Sequence, residues 1–217
     1  MVHDGLKDII YFNGAQVNEK NAVGSLDATT KPLGIGFDPI DNNYFFNGAL
    51  DELEIYNVAL SAAEIAALYT TQSTFPGAPG DLVASYSLNG NGVDASQYAN
   101  NGDLNDAAVA ASNRHNWGGN ALHGTVTAAN SAALQSDFTT IGFWINPTAF
   151  PASGEAFLLS NGGWQERWKI SMPSHGKPVF TTHAGGTCCS DMDSGTPLTI
   201  GTWTYVTMVH DGTKDII

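Results

Sequence analysis

The chain has 217 residues, of which 42% are hydrophobic, 13% are charged and 24 are glycine. Its formal net charge of −13 argues against nucleic acid as a partner, because phosphate backbones are bound chiefly by lysine and arginine. The composition is typical of β-strands joined by Gly, Asn and Asp turns, and no apolar run is long enough to span a bilayer. An acidic surface of this kind suits either plain solubility or the capture of hard cations such as calcium.

The first segment, residues 1–72, is predicted to contain several strands and the one clear helix of the chain. Its strand-like stretches read HDGLKDIIYFNGAQV, KPLGIGF and YFFNGALDELEIYNVAL. Ser61 and Glu64 have the spacing of a capping box, which predicts a short helix near residues 61–71. Two prolines and two glycines then predict a linker over residues 73–80.

The second segment, residues 81–217, alternates strand-like stretches with turns. The stretches read DLVASYSL, DFTTIGFWINP, EAFLLSNGG, RWKISM, KPVFTTH and TWTYVTMVH. The last of them runs into Asp211–Gly212, a dipeptide that strongly favours a hairpin turn, and only TKDII follows it. The chain as a whole is predicted to be all-β.

The two ends of the chain carry almost the same sequence. Nine of the ten residues in 1–10 recur in 208–217, where Thr213 replaces Leu6. The offset from residue 1 to residue 208 is 207 residues, so the overlap indicates a tandem repeat of that length. The back part of one copy then precedes the front part of the next, as expected for a piece of a longer chain.

This overlap predicts a pairing between distant strands. The hairpin begun by Thr202–His210 is completed by the stretch at the start of the chain, so we expect Thr202–His210 to pair with Lys7–Asn13, within one chain or between neighbours. Because only one strand fits beside the hairpin edge, we expect Lys7–Phe12 to occupy it. The tail after Asp211 is then expected to fray or to pair with another molecule through its open edge.

The run YFFNGALDELEIYNVALSAAEIAALY, residues 44–69, closely resembles the end of laminin-G-like jelly-roll domains of the concanavalin A-like superfamily. The matching positions are Phe46, Gly48, Asp51, Glu52, Ile55, Tyr56, Asn57, Ala59, Leu60, Ser61, Glu64 and Ile65. The stretch LVASYSLNGNGVDASQYANNGDL resembles the start of such domains, so the family's end precedes its beginning here. The resemblance implies an antiparallel two-sheet β-sandwich over residues 1–217, with residues 1–72 as its back half and 81–217 as its front half.

A structural calcium ion is predicted in the front half. Asp94, Asn100 and Asn101 lie in a Gly/Asn-rich loop whose oxygens suit a hard cation, although such residues are also ordinary turn formers. The resemblance implies that Asp51, in the Asp-Glu motif, approaches this loop. The predicted calcium ligands are therefore Asp51, Asp94, Asn100 and Asn101.

Cys188 and Cys189 are adjacent in the sequence. Neighbouring Cα atoms are ~3.8 Å apart, below the roughly 4.4–6.8 Å of ordinary disulfides. A bond between them would be a strained, vicinal disulfide that stiffens its loop and implies an oxidising location, since strained disulfides are easily reduced. The alternative is two free thiols on opposite sides of a strand.

A glycan site is predicted around this cysteine pair. Trp164 and Arg167 follow a Gly-Gly turn, and His183 and Asp191 flank the cysteines. An aromatic face combined with planar polar side chains suits a sugar ring. The predicted ligand-binding residues are Trp164, Arg167, His183, Cys188, Cys189 and Asp191, whereas Trp144, Trp168 and Trp203 are expected to pack in the interior.

Catalysis is not expected. Glu52 and Glu54 lie two apart on a predicted strand, hence roughly 7 Å apart on one face, which is in the range for glycoside hydrolysis. The chain nevertheless lacks the E-x-D-x-x-E arrangement of jelly-roll glucanases. Its histidines do not cluster, which disfavours zinc.

The resemblance implies a secreted or cell-surface module that is non-catalytic, is stabilised by calcium and binds a glycan or cell-surface polymer. The acidic net charge argues against a nucleic-acid partner, and the lack of a long apolar run argues against membrane insertion. The alternative is a structural adhesion repeat without a small ligand, which assembles by sheet completion or by exchange of half-domains through the duplicated hairpin.

Overall fold

The computed structural model describes residues 7–21, 24–71, 81–105, 109–112, 120–163 and 166–211. These residues form β-strands, one α-helix and one 3-10 turn. In chain order the elements are β1 (Lys7–Phe12), β2 (Ala15–Asn21), β3 (Leu33–Ile35), β4 (Gly48–Tyr56), α1 (Ala62–Thr71), β5 (Leu82–Tyr86), β6 (Gly102–Leu104), β7 (Val109–Ser112), β8 (Asn120–Leu122), β9 (Val126–Ala128), the 3-10 turn Ala132–Leu134, β10 (Thr139–Pro147), β11 (Glu155–Asn161), β12 (Trp168–Pro173), β13 (Val179–Ala184), β14 (Thr187–Asp193) and β15 (Thr204–His210).

The strands form two antiparallel sheets, as the sequence predicts. The first sheet has the order β2-β1-β15-β10-β4-β8-β7, with β5 also paired to β4. The second has the order β14-β13-β12-β11-β3-β9-β6. One apolar core draws side chains from both sheets, among them Phe143, Trp168 and Phe180. The predicted β-sandwich is therefore confirmed.

In both sheets, a strand from the N-terminal segment lies between two strands from the C-terminal segment. In the first sheet β4 lies between β10 and β8, and in the second β3 lies between β11 and β9. Because the N-terminal segment fills inner positions of both sheets, each segment completes the sheets of the other. The predicted linker at 73–80 lies outside the described residues.

The predicted pairing of the two chain ends is confirmed. β1 and β15 are antiparallel neighbours, with Ile9 opposite Val209 and Asp8 opposite His210. The backbone N–H of Asp211 donates to the carbonyl of Lys7 at 3.1 Å, which extends the ladder by one bond. The segment after Asp211 lies outside the described residues.

A fully buried polar pair joins these strands to the second sheet. His210 Nδ1 lies 2.7 Å from Asp8 Oδ1, and both side chains have no exposed surface. Thr182, on β13 of the second sheet, donates to Asp8 Oδ2 at 2.8 Å. His210 Nε2 lies 3.1 Å from the carbonyl of Gly24, so both ring nitrogens face oxygen acceptors. The pair therefore fixes the register of β1 on β15 and ties the two sheets together.

The predicted helix is also confirmed, together with its cap. Ser61 N–H donates to Glu64 Oε2 at 2.7 Å, and Glu64 N–H donates back to Ser61 Oγ at 3.4 Å. Ile65 and Leu68 then pack on the outer face of the first sheet. The cluster beneath the helix contains Tyr11, Tyr56, Trp144 and Tyr205, with Trp203 at its margin. Trp144 and Trp168 are thus buried as expected, whereas Trp203 is half-buried.

Candidate functional site

A row of polar side chains crosses the outer face of the second sheet. Trp168, Ile170 and Phe180 point into the core. Their neighbours on β12 and β13 therefore face outwards, since side chains alternate along a strand. Strand register aligns four outward residues across β11 to β14. This polar row consists of Ser160, Lys169, Thr181 and Asp191.

Hydrogen bonds and ion pairs hold the polar row in place. Thr181 Oγ1 donates to Asp191 Oδ1 at 2.7 Å, which orients the carboxylate. Lys169 Nζ forms an ion pair with Glu155 and lies 4.7 Å from the centre of the Phe157 ring. Lys169 is 8% exposed, whereas Asp191 is exposed to solvent. Ser160 and Thr181 are buried, so solvent reaches the row chiefly at Asp191 and at the edge of Lys169.

Three residues that the sequence predicts as ligands, Arg167, His183 and Cys189, lie close together beyond the end of the row, although Arg167 and His183 are buried. His183 N–H donates to the carbonyl of Arg167 at 3.0 Å. Cys189 Sγ lies 3.6 Å from His183 Nε2, and Cys189 has a φ of +71°, a region that non-glycine residues rarely adopt. The predicted grouping around the cysteines is thus present, with Asp191 two residues further along β14. Trp164 and the side chain of Cys188 lie outside the described residues.

Arg167 is placed differently from a ligand-binding residue. Its side chain is 1% exposed, and its guanidinium donates to the carbonyls of Asp27 and Ser136. Burial lowers the pKa of Arg167 to about 10, against the opposing pull of the Asp137 and Asp27 charges. These contacts connect two loops, so they support a structural role for Arg167 beneath the site.

A cavity of about 250 Å³ opens where the edge strands of the two sheets meet. Lys20 Nζ donates to the carbonyl of Asp191 at 3.0 Å, and Asn18 Nδ2 donates to that of Asp193 at 2.6 Å, so β2 and β14 are bridged beside it. The lining residues are Lys20, Asn21, Thr182, Ala184, Thr187, Cys189 and Ser190. Small-ligand pockets begin at roughly 300 Å³, so this cavity suits at most a single small ring. Sequence analysis missed Lys20 and Lys169 because only strand register brings them to the predicted residues.

The loop predicted to bind calcium is closed by its own hydrogen bonds. Asp94 Oδ1 accepts from the backbone N–H groups of Ser85 and Ser96, both at 2.8 Å. Asp94 Oδ2 accepts from Ser96 Oγ at 2.8 Å and from the N–H of Asn100 at 2.7 Å. An ionised carboxylate has about four acceptor positions, and protein donors fill them here. Asn101 Oδ1 in turn accepts from the N–H of Asp94.

These contacts do not form a preorganised calcium site, because the oxygens of Asp94 already accept hydrogen bonds from the protein. The predicted fourth ligand, Asp51, is buried on β4 opposite Trp144. Within the described ranges, no group of three or more His, Cys, Asp or Glu side chains could hold a metal ion. A calcium ion at Asp94 would have to displace hydrogen bonds that close the loop, so calcium binding stays a prediction from the resemblance.

Asp94→Ala is expected to destabilise the fold by about 3 kcal/mol in EDTA. Four donors lose a charged acceptor, and hydrogen bonds to charged groups contribute about 1.5–3 kcal/mol each before the loop relaxes. Urea unfolding in EDTA measures the loss, with the exposed Asp103→Ala as control. If Asp94→Ala were as stable as the wild type, the hydrogen bonds to Asp94 would not stabilise the loop. A calcium-dependent rise in Tm that the wild type shows and Asp94→Ala lacks would instead establish the predicted metal site.

Comparison with known proteins decides the family. A laminin-G family model, described as concanavalin A-like lectin/glucanases superfamily, matches residues 1–66 and 118–217. The chain belongs to the concanavalin A-like lectin/glucanase superfamily. Searches of curated proteins and of solved structures returned no match. Membership supports a carbohydrate-binding or adhesion-type module. Among the described residues, no helix is long and apolar enough to cross a membrane.

The superfamily includes glucanases, so the two neighbouring glutamates on β4 bear on catalysis. Glu52 has a φ of +47°, and the pairing of β4 with β10 shifts register at this point. The regular alternation that predicted a separation of roughly 7 Å is therefore broken. Burial, and secondarily the charge of Glu52, raises the pKa of Glu54 to about 6, while a 2.8 Å hydrogen bond from Tyr56 Oη opposes the shift. This shift has a structural cause and requires no catalytic role.

Glu54→Gln is expected to stabilise the protein at pH 7 by about 1–2 kcal/mol. Because the pKa of Glu54 is higher in the folded state, the folded protein binds the extra proton, and its stability falls as pH rises from 4.5 to about 6. A shift of one pKa unit corresponds to about 1.36 kcal/mol. Glutamine stays neutral and still accepts the Tyr56 hydrogen bond. Urea unfolding at pH 4 and pH 7 should show the gain only at pH 7, and a gain equal at both values would contradict the assignment.

Proposed function

We propose that the chain is a non-catalytic extracellular module that binds carbohydrate on the outer face of the second sheet. The polar row, bordered by the cavity at the β2–β14 edge, carries this proposal. Lys169 and Asp191 offer a donor and an acceptor on the two sides of Thr181. A hydroxyl-rich ligand can donate to one and accept from the other. Superfamily membership favours the same class of ligand.

A vicinal disulfide between Cys188 and Cys189 belongs to the same proposal. The chain contains two cysteines, and they are neighbours in the sequence. The positive φ of Cys189 agrees with a constrained turn of backbone at this position. A bond of this kind would hold the rim of the cavity rigid and requires an oxidising location, which supports secretion.

A glycan array tests the proposal directly. The wild type is expected to bind at least one glycan, and Asp191→Ala and Lys169→Ala are each expected to weaken that binding at least tenfold. Trp164→Ala tests the aromatic residue that the sequence predicts at this site. Asp103→Ala, which removes an exposed carboxylate from β6, is the matched control. Failure of the folded wild type to bind any glycan would refute the proposal.

A structural adhesion repeat is the second candidate, and the β1–β15 pairing favours it. These strands are joined by backbone hydrogen bonds and by the Asp8–His210 pair, and by no turn between them. Residues 7–71 of one molecule could therefore fill the same positions in a second molecule, which is half-domain exchange. Multi-angle light scattering at rising concentration should show dimers or larger species under this candidate. A monomer at all concentrations would exclude it.

A further inference from the structure

The loop between β3 and β4, residues 36–47, presents apolar side chains to solvent. Ile40, Tyr44 and Phe45 expose 42%, 41% and 55% of their surfaces. Single exposed apolar residues are ordinary, but three large ones on one short loop mark an interaction surface. We call Ile40, Tyr44 and Phe45 the loop platform.

Both aromatic rings of the loop platform are backed by a second ring. Tyr44 stacks on Phe157 with ring centres 5.0 Å apart and planes 11° from parallel. Phe45 stacks in the same way on Phe37, with centres 6.0 Å apart and planes 8° from parallel. Stacking on one face holds each ring flat and leaves the rest of its surface to a ligand.

The loop platform is held rigid by backbone contacts. Asp38 N–H donates to the carbonyl of Asn43 at 3.0 Å, and Phe157 N–H donates to that of Tyr44 at 2.7 Å. Tyr44 has a φ of +56°, which such contacts maintain. A surface that is already ordered loses little conformational freedom when a ligand binds.

Two acceptor oxygens at the loop platform have no donor within the described part of the chain. They are Oδ2 of Asp38, whose side chain is fully buried, and Oδ1 of Asn43. Asp38 and Asn43 form an isolated antiparallel bridge, so their side chains project from the same side. A Cβ placed on Gly163 would lie 3.0 Å from Ile40 Cγ1 and 3.4 Å from Asp38 Oδ1, which sets the carboxylate beside Ile40. Both oxygens are buried, so they lie beneath the platform, and a ligand on its surface meets the apolar rings and not these acceptors.

The loop platform is also continuous with the polar row. The Phe157 ring stacks against the Tyr44 ring, and its centre also lies 4.7 Å from the Lys169 ammonium. Phe157 is fully buried, so it joins the base of the loop platform to Lys169 beneath the surface.

From these observations we infer that the loop platform binds a neutral polysaccharide by stacking its sugar rings on Tyr44 and Phe45. This inference rests on the proposed carbohydrate-binding function. The apolar CH faces of β-linked glucose rings suit the electron-rich faces of aromatic rings. Acidic sugars are disfavoured by the carboxylates of Asp38 and of the exposed Asp41 and by the net charge of −13.

Affinity electrophoresis in gels containing barley β-glucan, laminarin or polygalacturonate tests the inference. The wild type should be retarded by at least one neutral glucan and not by polygalacturonate. Tyr44→Ala and Phe45→Ala should each raise the dissociation constant at least tenfold. Tyr98→Ala is the matched control, because Tyr98 is also 41% exposed but lies in another loop. Far-ultraviolet circular dichroism of each variant confirms that it is folded.

The outcomes separate this inference from the function on which it rests. Binding by Tyr44→Ala and Phe45→Ala at wild-type strength, while Asp191→Ala loses binding, would overturn the loop platform alone. Retardation by polygalacturonate but by neither glucan would also overturn it. A wild type that binds no glycan overturns the proposed function, and the inference with it. A lower molecular mass of Tyr44→Ala in solution, with unchanged binding, would show that a second copy covers the platform, and would overturn the inference too.

Discussion

Asp8→Ala is expected to lower the free energy of unfolding by about 3–5 kcal/mol. The substitution removes the carboxylate that faces His210 Nδ1 at 2.7 Å and accepts the Thr182 hydroxyl at 2.8 Å. Because His210 has no exposed surface, water cannot replace the lost partner. A buried polar group left without its partner costs about 1–3 kcal/mol, and both His210 and Thr182 lose theirs. Urea unfolding followed by tryptophan fluorescence measures the change.

The duplicated chain ends provide an unusually close control for this experiment. Asp215 occupies the same position in the copy at residues 208–217 as Asp8 does in residues 1–10. If Lys7–Phe12 is the strand beside β15, Asp215 has no part in the buried pair with His210, and Asp215→Ala should change stability by less than about 0.5 kcal/mol. A large loss for Asp215→Ala with little loss for Asp8→Ala would show that the other copy pairs with β15. That result would contradict the β1–β15 pairing on which the described sandwich depends.

Arg167→Ala is expected to cost about 3 kcal/mol of stability. The substitution removes the hydrogen bonds to the carbonyls of Asp27 and Ser136 and leaves a space where a nearly fully buried side chain was packed. A hydrogen bond from a charged group contributes about 1.5–3 kcal/mol, and the lost packing of the side chain adds to this. Thermal unfolding and urea titration should both detect the loss.

Arg167→Lys distinguishes shape from charge at this position. Lysine keeps the positive charge but cannot reach both carbonyls with a planar fork, so it should recover only part of the stability. A folded Arg167→Ala of wild-type stability that no longer binds glycan would contradict the structural role. It would restore the ligand-binding role that the sequence predicts.

Local patterns in the sequence were sufficient for the elements and for one distant pairing. Alternating apolar residues in Thr202–His210, and the capping box of Ser61 and Glu64, predict a strand and a helix because each depends on neighbouring residues only. The repeated ends predict β1 beside β15, because a hairpin that is cut in one copy must be completed from the other. The laminin-G-like pattern at residues 44–69 indicates the same sandwich.

The tertiary structure alone decided what the polar residues near the predicted site do. Arg167 and Asp94 are the residue types that bind sugars and cations, yet the fold surrounds them with carbonyls and N–H donors of its own. Lys169 joins the site, and Tyr44 the platform, because strand register and a returning loop bring them next to Phe157. Alternation along a strand shows which side chains share a face. Whether that face is buried, and which partners it meets, depends on contacts between residues far apart in the chain.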